Sequence, residues 1–139
     1  MTESAFTLDP RLAADTAEVG DLSLCRVLLM DDARFPWLIL VPRRPDVSEI
    51  TDLTETDAAT LWQEIRLATG VMQTLSRPDK VNVGALGNVV AQLHVHVVGR
   101  FRSDPAWPSP VWGFETRTPY PPHARAQLLE RAGALFSAA

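Results

Sequence analysis

The sequence predicts an α+β domain, an antiparallel sheet of about five strands with one long helix packed on it and a C-terminal helix. Three observations predict it. Residues 92 to 101 alternate with a period of two: Gln92, His94, His96, Val98 and Arg100 fall on one side, Leu93, Val95, Val97 and Phe101 on the other. Across 54 to 76 the apolar residues Leu61, Ile65, Ala68, Met72 and Leu75 recur near the helical period. Apolar runs at 22–30 and 37–41 are separated by turn residues, as the two arms of an antiparallel hairpin are.

In chain order, Asp9 before Pro10 reads as an N-cap with proline at the first helical position, so a short helix or turn is expected over 8–19, ending before Gly20. A strand follows over 22–30. Asp31 to Pro36 supplies the turn, and the second strand, from Trp37 to Val41, stops at Pro42 to Pro45, because proline cannot donate to a ladder. Thr54 and Asp57 stand at capping-box spacing before the long helix, which Pro78 closes. Strands near 81–86 and 91–102 are expected to pair through the segment containing Gly87. Beyond Arg102 the proline-rich stretch to Pro122 is too irregular for strands, and Trp107, Trp112, Phe114 and Tyr120 must anchor it within the chain or on a partner subunit. Good helix formers follow Pro121 and Pro122, predicting a helix over 123–136 with His123 as a solvated or capping residue at its start.

With 139 residues, 46% hydrophobic and 22% charged, the chain reads as a single domain over 1–139. A formal net charge of −4 argues against a general nucleic-acid binder, which needs clustered Lys and Arg. The N-terminal residues Met1 to Phe6 lack the basic and apolar regions of a leader, and no apolar run approaches the length of a membrane span. The single Cys25 lies in an apolar run and reads as a buried structural thiol, which fits a reducing, cytoplasmic setting. There is no Gly-x-x-x-x-Gly-Lys-Ser/Thr loop and no dinucleotide fingerprint.

Chemistry concentrates at His94 and His96. Two imidazoles two residues apart on a strand stand side by side, able to share a hydrogen-bond network, a phosphate or a metal. A metal would need a third ligand, from His123 or an aspartate, and no Cys or carboxylate stands at a recognisable spacing, so no metal or other cofactor is expected. Just upstream, Gly84 and Gly87 allow backbone amides to approach an anionic ligand closely, with the Asn88 side chain beside them and Asn82 one strand back. Arg100, on the histidine side, is the candidate cation, whereas Arg43 and Arg44 read as a solvated strand edge.

The run from Gln92 to Val98 resembles the histidine triad motif, His-φ-His-φ-His-φ-φ with φ apolar, of the HIT superfamily, with Gln92 in place of the first histidine. Gly87 to Val90 is similar to the Gly-Gln-Ser/Thr-Val segment before that motif, and Leu38 to Arg44 to the family's Leu-Val-Ile-Pro-Lys-Lys strand end, though Pro45 stands where many members have a further histidine. The resemblance spans residues 22 to 101. It implies a HIT-like fold, a purine mononucleotide or related substrate, and a homodimer. It also implies His94 as the nucleophile toward the α-phosphorus, His96 orienting the site or a phosphate oxygen, and Asp32 or Asp31 as the acidic residue on the ribose hydroxyls. Gln92 cannot titrate, so restoring a histidine at 92 is expected to raise turnover. A nucleotide-binding module without turnover is the alternative that this departure leaves open.

Overall fold

The computed structural model describes residues 6–139; residues 1–5, most of the stretch read as carrying no leader, lie outside the described residues. The chain runs α1 (Pro10–Asp15), β1 (Thr16–Asp21), β2 (Cys25–Met30), β3 (Trp37–Pro42), a 3-10 turn (Ile50–Asp52), α2 (Glu55–Ser76), β4 (Lys80–Gly84), β5 (Val95–Arg100) and α3 (Pro122–Ser137). The strands form one five-stranded antiparallel sheet in the order β1-β2-β3-β5-β4. This is the α+β architecture expected from the sequence.

The two-residue period sorts the sheet into two buried faces. Val27, Leu29, Leu38, Leu40, Val95 and Val97 pack with Leu61, Ala68, Val71 and Met72 of α2 and Phe136 of α3. On the opposite face Leu28, Trp37, Ile39, Val41 and Val98 meet Leu12, Ala106 and Val111. All six residues of β3 and of β5 are therefore buried, although the two longer helices lie on one face. The second face is covered by α1 and by the irregular stretch after β5.

Helix α2 begins where the capping pattern put it. Thr54 accepts a hydrogen bond from the Asp57 amide, and the Asp57 carboxylate turns to Arg44 instead of completing the box. The helix ends as Arg77 takes a left-handed conformation, φ 50°, before Pro78. Its one buried charge, Glu64, accepts the amides of Leu24 and Cys25 at 3.0 and 2.9 Å, which pins the start of β2 to the helix. Where β5 passes under α2, a Cβ at Gly99 would lie 3.0 Å from each of Met72 Sδ, Pro36 Cγ and Ser76 Oγ, so a larger residue fits only if these side chains give way.

One expectation needs correction. Helix α1 stops at Asp15, and residues 16–21, of which 16–19 were expected in the helix or turn, form the edge strand β1 against β2, with a register shift between Glu18 and Gly20. Short helices are marginal on local propensity alone, and the open edge of β2 supplies a better set of hydrogen-bond partners. Of the two anchorings open to the aromatics after Arg102, packing within the chain is seen for two of them. Trp112 and Phe114 pack on the second core cluster, and Asp104 organises the turn by accepting the amides of Phe101, Ala106 and Trp107.

Candidate active site

β5 and the residue just before it deliver the two histidines to the second face of the sheet, where His94 and His96 are 6% and 5% exposed. Their ring centroids lie 4.8 Å apart at an interplanar angle of 69°. His94 sits just before the strand, where the chain leaves the ladder and the Leu93 amide bonds instead to the Val47 carbonyl. The motif strand is consequently shorter than the expected 91–102.

The hydrogen bonds assign the two tautomers. His94 Nδ1 lies 2.7 Å from the Gln92 carbonyl oxygen, which can only accept, so Nδ1 carries the proton and in the neutral ring Nε2 keeps its lone pair. Trp37 Nε1–H donates to His96 Nδ1 at 3.0 Å, so in the neutral ring His96 Nε2 is the N–H. Burial pushes the His96 pKa down to about 3, with the neighbouring His94 adding to the effect. Trp37 and Trp112 hold the His96 ring edge-on at centroid distances of 5.7 and 5.4 Å. The pair thus offers a nucleophilic nitrogen beside a fixed hydrogen-bond donor, with no charge on His96 at neutral pH.

A hollow of about 90 Å³ opens beside His94, lined by Gly87, Ala85, Leu86, Leu93 and, from the segment before α2, Ser48, Ile50 and the exposed Glu49, the one carboxylate among them. Gly87 has φ 77°, the left-handed region that favours glycine. Asn88 is exposed next to it.

Three residues expected to meet a ligand are engaged elsewhere. Arg100 is 2% exposed and donates to both carboxylate oxygens of Asp104, to Asn82 Oδ1 and to the Ser109 carbonyl. It joins β4, β5 and the following turn and is not a free cation; Asn82 is its partner. Burial pushes the Asp104 carboxyl up, but the Arg100 guanidinium and three backbone amides outweigh it and hold the pKa at about 2. Asp32, 1% exposed, accepts from the Arg34 guanidinium at 3.0 and 2.8 Å and from the amides of Arg34 and Thr118. Its neighbour Asp31 accepts from the Tyr120 amide and faces Arg117 and Arg125. Gln92 remains close to the pair through its carbonyl, while its side chain turns to Thr7 and Asp9. His123 is exposed at the start of α3.

Sequence reasoning missed Trp37 and Trp112, which orient His96. The signal was available for Trp37, which is paired with Val98 in register and flanks the histidine on the same face; Trp112 is brought in by an irregular segment with no period to read. Among the described residues, no group of three His, Cys, Asp or Glu side chains is arranged to hold a metal ion. No helix among them is long and apolar enough to cross a membrane.

This combination of a five-stranded antiparallel sheet and paired histidines on the inner strand defines the histidine triad class. The HIT domain model matches residues 11–103, and the chain belongs to that family. Crystal structures of histidine triad proteins from Sinorhizobium meliloti and Bradyrhizobium japonicum are similar throughout. The first is 45% identical with a TM-score of 0.92, covering 94% of this chain and 97% of that one. The second is 42% identical with a TM-score of 0.93, covering 95% and 98%. Over 73 residues the chain is also 41% identical to the AP-4-A phosphorylase of Mycobacterium tuberculosis, a match covering 48% of this chain and 37% of that protein. The match to this curated relative thus spans well under half of its length.

Proposed function

We propose that the protein is a nucleotide hydrolase or nucleotidyl transferase of the HIT type, acting at the α-phosphate of a nucleotide phosphoramidate, adenylate or dinucleoside polyphosphate. The observation that carries this is the tautomer of His94: Nδ1–H is held by the Gln92 carbonyl, which leaves the Nε2 lone pair free beside His96. In the reaction that this supports, Nε2 attacks the α-phosphorus, the bond to the leaving group breaks, and a nucleotidyl-histidine forms. Water then cleaves the new P–N bond, giving the mononucleotide and the free imidazole. In this reading His96 Nε2–H donates to a phosphate oxygen, and the backbone around Gly87, which lines the hollow, meets the phosphate, with the exposed Asn88 side chain as a further contact. The hollow beside His94 is far below the roughly 300–1,000 Å³ of a whole-ligand pocket, so it suits the phosphate, with the purine nucleoside outside it. Asp32 and Asp31 can reach a ribose only by giving up contacts to Arg34 and to Tyr120, Arg117 and Arg125.

The engaged Gln92 side chain supports a second reading, a nucleotide-binding module without turnover, since no acid at that position aids the leaving group. Incubation with adenosine phosphoramidate, an aminoacyl-adenylate and diadenosine tetraphosphate, with and without chelator, separates the two. AMP release that survives chelator is the expected result. Mononucleotide binding with no release from any of the three favours the binding module, and loss in chelator restored by zinc favours a metal hydrolase. The same reading takes residues 1–139 as one HIT-like domain in the cytoplasm, acting on small molecules without nucleic acid or membrane. It also includes a homodimer. Trp112 and Phe114, two of the aromatics that supported one, pack within the chain; exposed Trp62 and Val83, which line a shared hollow on α2 and β4, offer an apolar patch to a second copy, beside the other exposed apolar residues Ile50, Leu86 and Val89; light scattering tests it.

A further inference from the structure

Gln92 stands where the family pattern has its first histidine, and its carboxamide makes a pair of contacts that an imidazole cannot. Oε1 accepts the Asp9 amide at 2.8 Å, and Nε2 donates to the Thr7 carbonyl at 2.8 Å. In extended chain the C=O of one residue and the N–H of the residue two further on point to the same side, so one primary amide bonds both as an adjacent strand would. The donor and acceptor nitrogens of an imidazole point away from each other across the ring and cannot serve two such neighbouring groups.

The segment held in this way lies on the histidine side of the sheet. Phe6, Leu8 and Leu12 pack with Trp37, Ile39 and Val98, and Asp9 caps α1 by accepting the Arg11 amide. The same Gln92 whose side chain grips this segment accepts His94 Nδ1–H on its own carbonyl at 2.7 Å. One residue therefore joins the N-terminal segment to the ring of the candidate nucleophile, through two side-chain bonds on one end and a backbone bond on the other.

We propose that Gln92 is a positioning residue, a latch that fixes residues 7–9 against the motif strand and thereby holds His94 as its Nδ1–H tautomer. Its importance for turnover rests on the His94 reading above, but the latch itself does not and is tested on the resting protein. The expectation for Gln92→His is reversed: the family residue removes both latch bonds, so turnover falls wherever wild type is active.

The test uses the full chain, with amide exchange at Asp9 and ¹⁵N NMR of the His94 ring as readouts. Gln92→Met removes both bonds at similar length, and Gln92→Glu keeps only the acceptor for Asp9. Asp9 has φ −56°, which proline accommodates, so Asp9→Pro deletes the same N–H from the other side, while Asp9→Ala keeps it and controls for the lost carboxylate. In Gln92→Met the Asp9 amide is expected to exchange on the order of tenfold faster or more, and Gln92→Glu to fall between. His94 ring signals should move from the Nδ1–H pattern toward a tautomer average in Gln92→Met and Asp9→Pro, but not in Asp9→Ala. Unchanged Asp9 exchange in Gln92→Met overturns the proposal, as do wild-type ring signals in Gln92→Met and Asp9→Pro, or an equal shift in Asp9→Ala. Should Gln92→Met not fold, Gln92→Glu and Asp9→Pro decide. An inactive wild type that shows these shifts refutes the proposed function and leaves the latch standing.

Discussion

Acid should destabilise this protein through His96 at pH values well above that at which Asp104 protonates. The folded ring has a pKa of about 3, because burial, and then His94, disfavour its cation. An unfolded histidine titrates near 6.5, so the unfolded chain binds the extra proton between these values and the stability contribution falls as pH drops through that window. It is fully present above the unfolded value. At pH 4.5, still above the folded pKa, the loss relative to pH 7 is set almost wholly by the unfolded titration and comes to roughly 2–3 kcal/mol. The assay is urea denaturation at both pH values for wild type and His96→Gln, whose amide oxygen can still accept from Trp37 Nε1 but cannot titrate. Asp104 is common to both proteins, and its contribution is lost only at lower pH, between its ordinary range and about 2. The expected result is that wild type loses about 2 kcal/mol more than His96→Gln. Equal losses would refute the claim that His96 is buried and neutral.

Other substitutions test the packing that positions the site. Asp104→Asn leaves the Arg100 guanidinium buried without its anion and should cost about 3–5 kcal/mol in urea unfolding. A cost under about 1 kcal/mol would place that pair in solvent. Gly99→Ala drives a methyl against Met72, Pro36 and Ser76 and should destabilise by about 1–3 kcal/mol, whereas Gly133→Ala, with open space around it, should be neutral or stabilising.

Alternation and capping made much of this fold legible. The pattern through His94, Val95, His96 and Val97 is local, and the structure divides those side chains between two faces as the two-residue period requires. Thr54 begins α2 because its hydroxyl meets an amide three residues on, a contact that needs no tertiary partner. What stayed hidden depends on residues far apart in the chain. β1 exists because β2 offers it an edge, and the stretch after Arg102 is held by Asp104, a residue that reads locally as a turn.

The site was legible in the same uneven way. His94 and His96 declare themselves by spacing, but a charge on the right face of a strand need not be free. Arg100 was assigned to a ligand because its carboxylate partner could not be seen from the pattern of β5, although Asp104 stands only four residues on. Asp32 was read as a ribose contact, and its partner Arg34 lies two residues away across a turn whose geometry the sequence does not specify. Gln92 looked like a lost proton donor until Thr7 and Asp9 appeared beside it, across separations of 85 and 83 residues.

The central claim is that His94 Nε2 takes the nucleotidyl group, and the most direct measurement is to trap it there. Wild type is mixed with adenosine phosphoramidate or diadenosine tetraphosphate, quenched in base within the first turnover, digested and mapped by mass spectrometry. An acid-labile adenylyl group is expected on the peptide containing His94 and none on His94→Ala, which should release no AMP while binding it within roughly tenfold of wild type, about 1.4 kcal/mol. Turnover by wild type with no adduct at any time, together with continued release by His94→Ala, would contradict it.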